Sequence, residues 1–167
     1  NLQGLNSKLQ FRPGRIWNCD ETGVPTVFQA AKVIAKKGTK QVAQTVLAER
    51  GENTTMLCFV SATGQTIPSV FVFPRVKAPE RMYQDGPPGC IGLAHRSGWM
   101  TSETFVCSLQ HFQKEVKAIK EDPVLLLFDN HESHISTEAV SLCKDNGIHL
   151  LTFPPHCSHC TQPLNVL

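Results

Sequence analysis

Short apolar runs in the first half of this chain predict strands. Residues 16–19, 54–61 and 67–73 are rich in apolar, β-branched and aromatic side chains, as strands usually are. Thr-Gly-Gln at 63–65 supplies tight-turn residues between the second and third runs, so these two runs predict an antiparallel hairpin. A smaller hairpin is predicted over residues 32–46, where β-compatible pieces flank a charged turn.

The second half of the chain alternates helices and strands. Apolar residues recur at helical spacing over residues 102–119 and again over 136–146, which predicts two helices. The apolar runs at 124–128 and 148–153 follow these helices directly and predict two more strands. Residues 74–98 lack such a period, so they are predicted to form a long loop that faces a substrate.

The predicted elements are several strands followed by a helix, a strand, a helix and a strand. This is the order of a ribonuclease H-like fold. This is an α/β architecture in which helices pack on the faces of a mixed sheet. We predict that one such domain spans residues 15–167 with its closing helix truncated. Residues 1–14 are predicted to be a linker or remnant outside the domain.

Composition sets limits without indicating a function. At 167 residues and 41% hydrophobic content, the chain is long enough for one domain with a substantial core. Its net charge of +2 neither requires nor excludes a polyanionic partner, so any DNA contact must come from local patches. Seven cysteines, mostly in apolar stretches, predict a reducing intracellular compartment. No apolar run approaches the ~20 residues that span a bilayer, which predicts a soluble protein.

Two aspartates stand where an apolar run gives way to polar residues. Asp20 and Asp129 are therefore expected at the carboxyl edge of neighbouring strands, where open sheets place their sites. Two carboxylates with substrate phosphate oxygens suffice to hold Mg²⁺, and two such ions ~4 Å apart stabilise both oxygens of an in-line displacement. For either acid alone, a turn former or helix cap remains the alternative. The run 129–134 is nevertheless denser in ligating groups than a plain turn requires.

Five short motifs occur in the order that one known family shows. They are Cys-Asp-Glu-Thr-Gly at 19–23, Phe-Val-Phe-Pro at 71–74, Ser-Gly-Trp-Met at 97–100, Asp-Asn-His-Glu-Ser-His at 129–134, and Phe-Pro-Pro-His-Cys-Ser-His at 153–159 followed by Gln-Pro-Leu at 162–164. Together they resemble the DDE endonuclease domain of pogo/Tigger-type transposases, a family with domesticated relatives of the jerky and centromere protein B kind. The resemblance runs from about Arg15 to the end of the chain.

The resemblance implies a catalytic core that cuts DNA at transposon ends and joins the freed 3′ hydroxyl to a target, with Mg²⁺ or Mn²⁺ as cofactor. DNA is the implied partner and the nucleus the implied location. By position, Asp20 and Asp129 match the first and second metal-ligating acids. The resemblance also implies a helix-turn-helix region upstream in a longer protein, and it leaves homo-oligomerisation open.

The third acid of the family follows Gln-Pro-Leu, and this chain has Asn165 there. An amide brings no charge to offset a metal ion, so a change from carboxylate to amide at a metal ligand predicts a steep loss of activity. Two functions follow. The first is a domesticated, non-catalytic nucleic-acid-binding module, which Asn165 favours; the second is an active metal-dependent DNA endonuclease or strand-transferase.

Basic and imidazole side chains supply candidate DNA contacts. One basic cluster falls on the small hairpin and another on the long loop, and each either contacts phosphates or forms a solvated face. The resemblance implies that His156 and His159 belong to a loop beside the active site, where they could contact phosphate or orient water. The residues predicted to contact DNA are Lys36, Lys37, Lys40, Arg75, Lys77, His131, His156 and His159.

Three other interpretations compete for single residues. Cys157 and Cys160 form one C-x-x-C pair, whereas a structural zinc site usually needs two well-spaced ligand pairs. Cys19 could be a nucleophile, but its place beside Asp20 in a strand points it into the core. Trp99 is predicted to be a packing anchor, with stacking on an unpaired base as the alternative.

Overall fold

The computed structural model describes residues 4, 9–25, 37–38, 52–154, 157 and 161–165. The hairpin predicted over residues 32–46 therefore lies, apart from Lys37 and Gly38, outside the described residues. The strands and helices are, in chain order, β1 Ile16–Pro25, β2 Asn53–Ser61, β3 Val70–Pro74, β4 Ile91–His95, α1 Ser102–Val116, β5 Val124–Phe128, α2 Thr137–Asp145 and β6 Ile148–Thr152.

The six strands form one mixed sheet in the order β4-β3-β2-β1-β5-β6. β1 and β2, and β2 and β3, are antiparallel, as the predicted hairpin requires. The other three neighbouring pairs, β3 with β4, β1 with β5 and β5 with β6, are parallel. The predicted α/β class with a mixed sheet is confirmed.

β1 is longer than its apolar run predicts. Its antiparallel pairing with β2 continues from Trp17 opposite Ser61 to Pro25 opposite Asn53. The last residues of β1 are exposed, so hydrogen bonding to β2 rather than burial keeps them extended. Asp20 consequently lies within β1 and not at its end, which corrects the expectation that the strand stops there.

The long loop predicted over residues 74–98 contains a strand, and that part of the prediction is wrong. β4 pairs in parallel with β3, from Val70 beside Ile91 to Pro74 beside His95. All its residues are only partly buried, so it has no alternation of apolar and polar positions to detect. The remainder of the segment is loop, with a 3-10 turn at Glu80–Met82.

α1 packs its apolar positions on one face of the sheet. Phe112 contacts Trp17 of β1 and Phe59 of β2, with ring centroids 5.6 and 5.0 Å apart. Phe105 and Leu109, fully buried on the same helix, each contribute roughly 2–3 kcal/mol by leaving water. Because side chains alternate along a strand, the burial of Trp17 and Cys19 under α1 directs Asn18 and Asp20 to the opposite face.

The described chain packs on the domain from Phe11 onward. Phe11 is buried with its ring edge against His149 of β6, and Arg15 pairs with Asp122 at the turn before β5. Within the described ranges, neither α1 nor α2 combines the length and apolar character that a bilayer crossing requires.

Candidate active site

The parallel pairing of β1 and β5 brings the two predicted acids to neighbouring positions. Asn18 is level with Leu127, and continuing that register by two residues on each strand brings Asp20 level with Asp129. β5 ends at Phe128, so this edge is the carboxyl end of β5 beside the middle of β1. Asp20 and Asp129 are both partly buried, which leaves their carboxylates accessible to a ligand.

A buried histidine joins the two strands at this edge. His134 lies in the 3-10 turn Glu132–His134, and its Nε2 donates a 2.6 Å hydrogen bond to Glu21 Oε1. Its Nδ1 lies 2.7 Å from Asp129 Oδ1, at an angle that makes this contact an ion pair rather than an aligned hydrogen bond. The His134 side chain is 6% exposed, whereas Glu21 and Asp129 are 24% and 31% exposed.

Aromatic rings enclose His134. Its ring centroid lies 4.4 Å from that of Phe105 on α1 and 5.7 Å from that of Phe128 on β5. Burial lowers the pKa of the imidazole, but Asp129 and Glu21 outweigh it and raise the pKa of His134 to about 9. His134 is therefore an imidazolium at neutral pH, and its contact lowers the pKa of Asp129.

This bridge was not predicted from the sequence. The motif Asp-Asn-His-Glu-Ser-His at 129–134 indicates a dense set of ligating groups, but it does not indicate a contact between His134 and Glu21. The available signal was the Asp-Glu pair in β1 together with a second aspartate followed five residues later by histidine. Pairing of the strands, which the sequence does not specify, is what brings these groups together.

A second contact holds the segment that carries Asn165 against β1. Gln162 is fully buried; its Oε1 accepts a 2.7 Å hydrogen bond from Asn18 Nδ2, and its Nε2 donates to the Cys19 carbonyl at 2.9 Å. The amide of Leu164 donates to Asn18 Oδ1 at 3.3 Å. We call these contacts between Asn18 and residues 162–164 the Asn18–Gln162 latch. It holds Gln162 and Leu164 against the strand that carries Asp20, and the amide of Asn165 donates to the Gln162 carbonyl at 3.0 Å.

The predicted DNA contacts divide into those that the structure describes and those that it does not. Lys37, Lys77 and Arg75 are exposed, and Arg75 pairs with Glu52 at 2.5 Å. His131 donates its backbone amide to Asp129 Oδ1 at 3.2 Å, and its Nδ1 lies 2.8 Å from Ser133 Oγ. The remaining predicted contacts, Lys36, Lys40, His156 and His159, lie outside the described residues.

The alternative roles of the cysteines were a nucleophile at Cys19 and a zinc site at the C-x-x-C pair. Burial raises the pKa of the Cys19 thiol well above its usual value, and the side chain belongs to the core under α1. Cys19 is thus a packing residue rather than a nucleophile. Of the C-x-x-C pair only Cys157 is described, and among the described residues no three His, Cys, Asp or Glu side chains are grouped as a metal site.

The donor set at the edge fits a hard divalent cation. Asp20 and Asp129 offer carboxylate oxygens and Asn165 an amide oxygen, the ligand type that Mg²⁺ and Mn²⁺ accept. Among the described residues, the contacts that His134 and the His131 amide make with Asp129 fall on Oδ1, which leaves Oδ2 for a cation. With two carboxylates, the set carries one negative charge fewer than three acids would.

Comparison with known proteins decides the family. A family model described as "DDE superfamily endonuclease" matches residues 51–167, which include Asp129 and Asn165. The chain belongs to the DDE superfamily endonucleases. The finer assignment of this DDE domain to pogo/Tigger-type transposases stays a prediction.

Solved structures share the fold of this DDE domain. The Mos1 transposase paired-end complex with left transposon end matches 92% of the chain and 39% of its own, at 14% identity and a TM-score of 0.54. The Mos1 mariner paired-end complex with Mn matches 91% and 39%, at 15% identity and a TM-score of 0.53. Another Mos1 paired-end complex, solved with Mg, matches at 16% identity and a TM-score of 0.50 over 90% and 40%. The ribonuclease H-like fold is confirmed.

A curated protein is also similar to this DDE domain. The MFS-type transporter clz9 of Cochliobolus lunatus is 35% identical over 152 residues, or 83% of this chain. The chain spans only 16% of that protein's length. The similarity therefore concerns a small part of clz9.

Proposed function

We propose that this DDE domain is a transposase-derived nucleic-acid-binding domain whose phosphodiester cleavage is impaired because Asn165 occupies the third acid position. The observation that carries the proposal is the Asn18–Gln162 latch. It holds Gln162 and Leu164, which precede Asn165, against β1, the strand of Asp20, and this supports a role for Asn165 at the third acid position. DNA is the proposed partner, and a nuclear location of the longer protein follows from that partner.

The proposed roles of the site residues follow from their contacts. Asp20 and Asp129 bind a divalent cation, with Asp129 using Oδ2 because His134 and the His131 amide occupy Oδ1. His134 fixes the carboxylate of Asp129 and does not itself act on DNA. A bound Mg²⁺ or Mn²⁺ supplies charge to the phosphodiester and to the attacking oxygen. That Mos1 complexes contain Mn and Mg supports the choice of metal.

Charge explains the expected impairment. Two ions carry four positive charges, which three carboxylates and the phosphate oxygens of the substrate would offset in an intact site. Asn165 supplies an oxygen without charge, so the second ion loses an anionic ligand. Because changes at metal ligands cost ~10–100-fold or more in affinity or activity, little nicking is expected from this chain.

Restoring the acid tests the proposal. We expect Asn165→Asp to raise Mg²⁺- or Mn²⁺-dependent nicking of supercoiled DNA at least ~10-fold and to increase the number of bound ions in calorimetric titration. Asn165→Ala serves as the control and should not raise either quantity. The gain should vanish when Asp129→Ala is added to Asn165→Asp.

A second candidate function is an active endonuclease or strand-transferase, favoured by retention of both Asp20 and Asp129. Strong cleavage by the unaltered chain, abolished by Asp129→Ala, would establish it and reject impairment. An unaltered chain that neither binds DNA in fluorescence anisotropy nor cleaves it would reject both functions.

A further inference from the structure

Trp99 is the exposed aromatic residue at the turn between β4 and α1. Its side chain is 59% exposed, whereas the adjacent Met100 is 6% exposed and packs in the core. The prediction that Trp99 is a packing anchor is therefore wrong, because Met100 has that role. The exposed indole offers a planar apolar surface on which a flat ligand such as a nucleic-acid base can stack.

The backbone around Trp99 is fixed rather than mobile. Gly98 adopts a φ of +72° and donates its amide to the His95 carbonyl at 2.9 Å, while Thr55 Oγ1 donates to the Gly98 carbonyl at 2.7 Å. The amide of Trp99 donates to Ser97 Oγ at 3.2 Å. When a ligand stacks on this indole, little free energy is therefore lost to ordering of the protein backbone, and this favours binding.

The turn that carries Trp99 lies near the candidate active site. Thr55, which holds Gly98, is paired with Gly23 of β1, and Gly23 is two residues beyond Glu21. One strand spacing and two residue rises place Thr55, which holds the turn, on the order of 10 Å from Glu21, which contacts His134. That span corresponds to about three nucleotide steps of a stacked strand.

Cationic side chains surround the turn. β3 and β4 run parallel and end level, with Pro74 beside His95, so the segments carrying Arg75, Lys77 and Arg96 leave the sheet at the same edge. These three side chains are exposed. Glu52 pairs with Arg75, and Lys77 and Arg96 add positive charge at the edge of the sheet from which the segment with Trp99 departs. Such a surface favours a polyanion over a neutral or acidic partner.

We propose that Trp99 is the stacking platform for an unpaired base of a DNA strand whose backbone continues to the edge between Asp20 and Asp129. This site rests on the proposed function, because it requires DNA to approach that edge. The site requires an unpaired base, which binding of intact duplex DNA does not. Stacking on one aromatic ring is worth about 5–100-fold in affinity, and it tolerates any base.

Tryptophan fluorescence tests the proposal directly. The chain has two tryptophans, and Trp17 is 5% exposed, so the spectrum of a Trp99→Phe variant reports Trp17 alone. Titration with a short thymidine single strand should quench the emission that Trp99 contributes. A strand of the same length with abasic sugars should bind through its phosphates without quenching.

Affinity measurements separate stacking from charge. By anisotropy of a labelled single strand, Trp99→Ala should weaken binding ~10-fold, and Trp99→Phe should retain most of the affinity because it keeps a ring. Val76→Ala, at a 71% exposed apolar residue of the neighbouring segment, is the matched control and should change affinity less than ~2-fold. Arg96→Ala should weaken binding of the ordinary and abasic strands equally.

The possible failures are distinguishable. If the strand binds but Trp99 emission and the Trp99→Ala affinity are unchanged, stacking is rejected and DNA binding stands. If acrylamide does not quench Trp99 in the free protein, another part of the chain covers the indole, and the platform is also rejected. Absence of any binding to single-stranded or duplex DNA rejects the platform together with the proposed function.

Discussion

Replacing His134 with alanine is expected to lower the free energy of unfolding by about 2–3 kcal/mol. The change leaves Glu21 and Asp129 close together without their shared cation and opens a space beside Phe105 and Phe128. Removing one partner of a fully buried ion pair costs about 3–5 kcal/mol, and the partial exposure of both carboxylates reduces that figure. Urea denaturation at pH 7 in the presence of a chelator measures the effect.

The same bridge predicts how stability depends on pH. The pKa of His134 is about 9 in the folded chain against an ordinary value of 6.5, so the folded state binds its proton more tightly. The stabilisation is complete below about pH 6.5 and is lost as the pH rises through 9, in total no more than about 3 kcal/mol. The groups that face the ring are Glu21, Asp129 and His131.

His134→Gln and Glu21→Gln test the origin of this dependence. His134→Gln keeps hydrogen-bonding capacity without a titrating ring, so its stability should be nearly flat between pH 6.5 and 9. Glu21→Gln should shift the loss of stability to lower pH, because only one carboxylate then stabilises the imidazolium. His131→Ala, at the neighbouring ring, is the control and should retain the wild-type slope. An equal slope in His134→Gln and the unaltered chain contradicts the assignment.

Gln162→Ala should produce the second largest effect, a loss of about 2–3 kcal/mol in the free energy of unfolding. The substitution removes the partner of Asn18 Nδ2 and of the Cys19 carbonyl, both in a fully buried position. A buried polar group that loses its partner costs about 1–3 kcal/mol, and here two bonds and side-chain packing are lost together. Amide exchange across residues 161–165 should accelerate, because the latch holds that segment.

A matched control separates the latch from a general effect of losing glutamine. Gln110→Ala removes the same side chain from an exposed position of α1 and should change stability by less than ~0.5 kcal/mol. Asn18→Ala should resemble Gln162→Ala, and the double variant should cost less than the sum of the two. Additive effects, or unchanged exchange at 161–165, would show that the latch does not hold Asn165.

Sequence patterning predicted the elements that are either buried or strictly periodic. The strand at Val124–Phe128 has the predicted bounds because all its residues are apolar and it lies between two parallel neighbours. β4 was missed because it is a partly buried edge strand with no alternation. β1 was predicted too short because its far half is extended by pairing with β2, and pairing leaves no mark on the polarity of single residues.

Sequence analysis could identify those residues of the candidate site that lie within a single motif. Asp20, Asp129 and Asn165 could be selected because each follows a recognisable local pattern. The His134 bridge and the Asn18–Gln162 latch could not, because each depends on strands that meet only in the folded sheet. The exposure of Trp99 was likewise decided by tertiary structure, since Met100 beside it fills the core.

The Asn18–Gln162 latch also determines how late in synthesis the fold can be completed. Its partners are 144 residues apart, and ribosomes add ~5–20 residues per second, so Asn18 waits on the order of 10 s for Gln162 to be synthesised. Until then the nascent chain has β1 without the segment that brings Asn165 to it. A growing polypeptide therefore cannot bring this segment to β1, and cannot assemble the proposed cation site, before Gln162 has been synthesised.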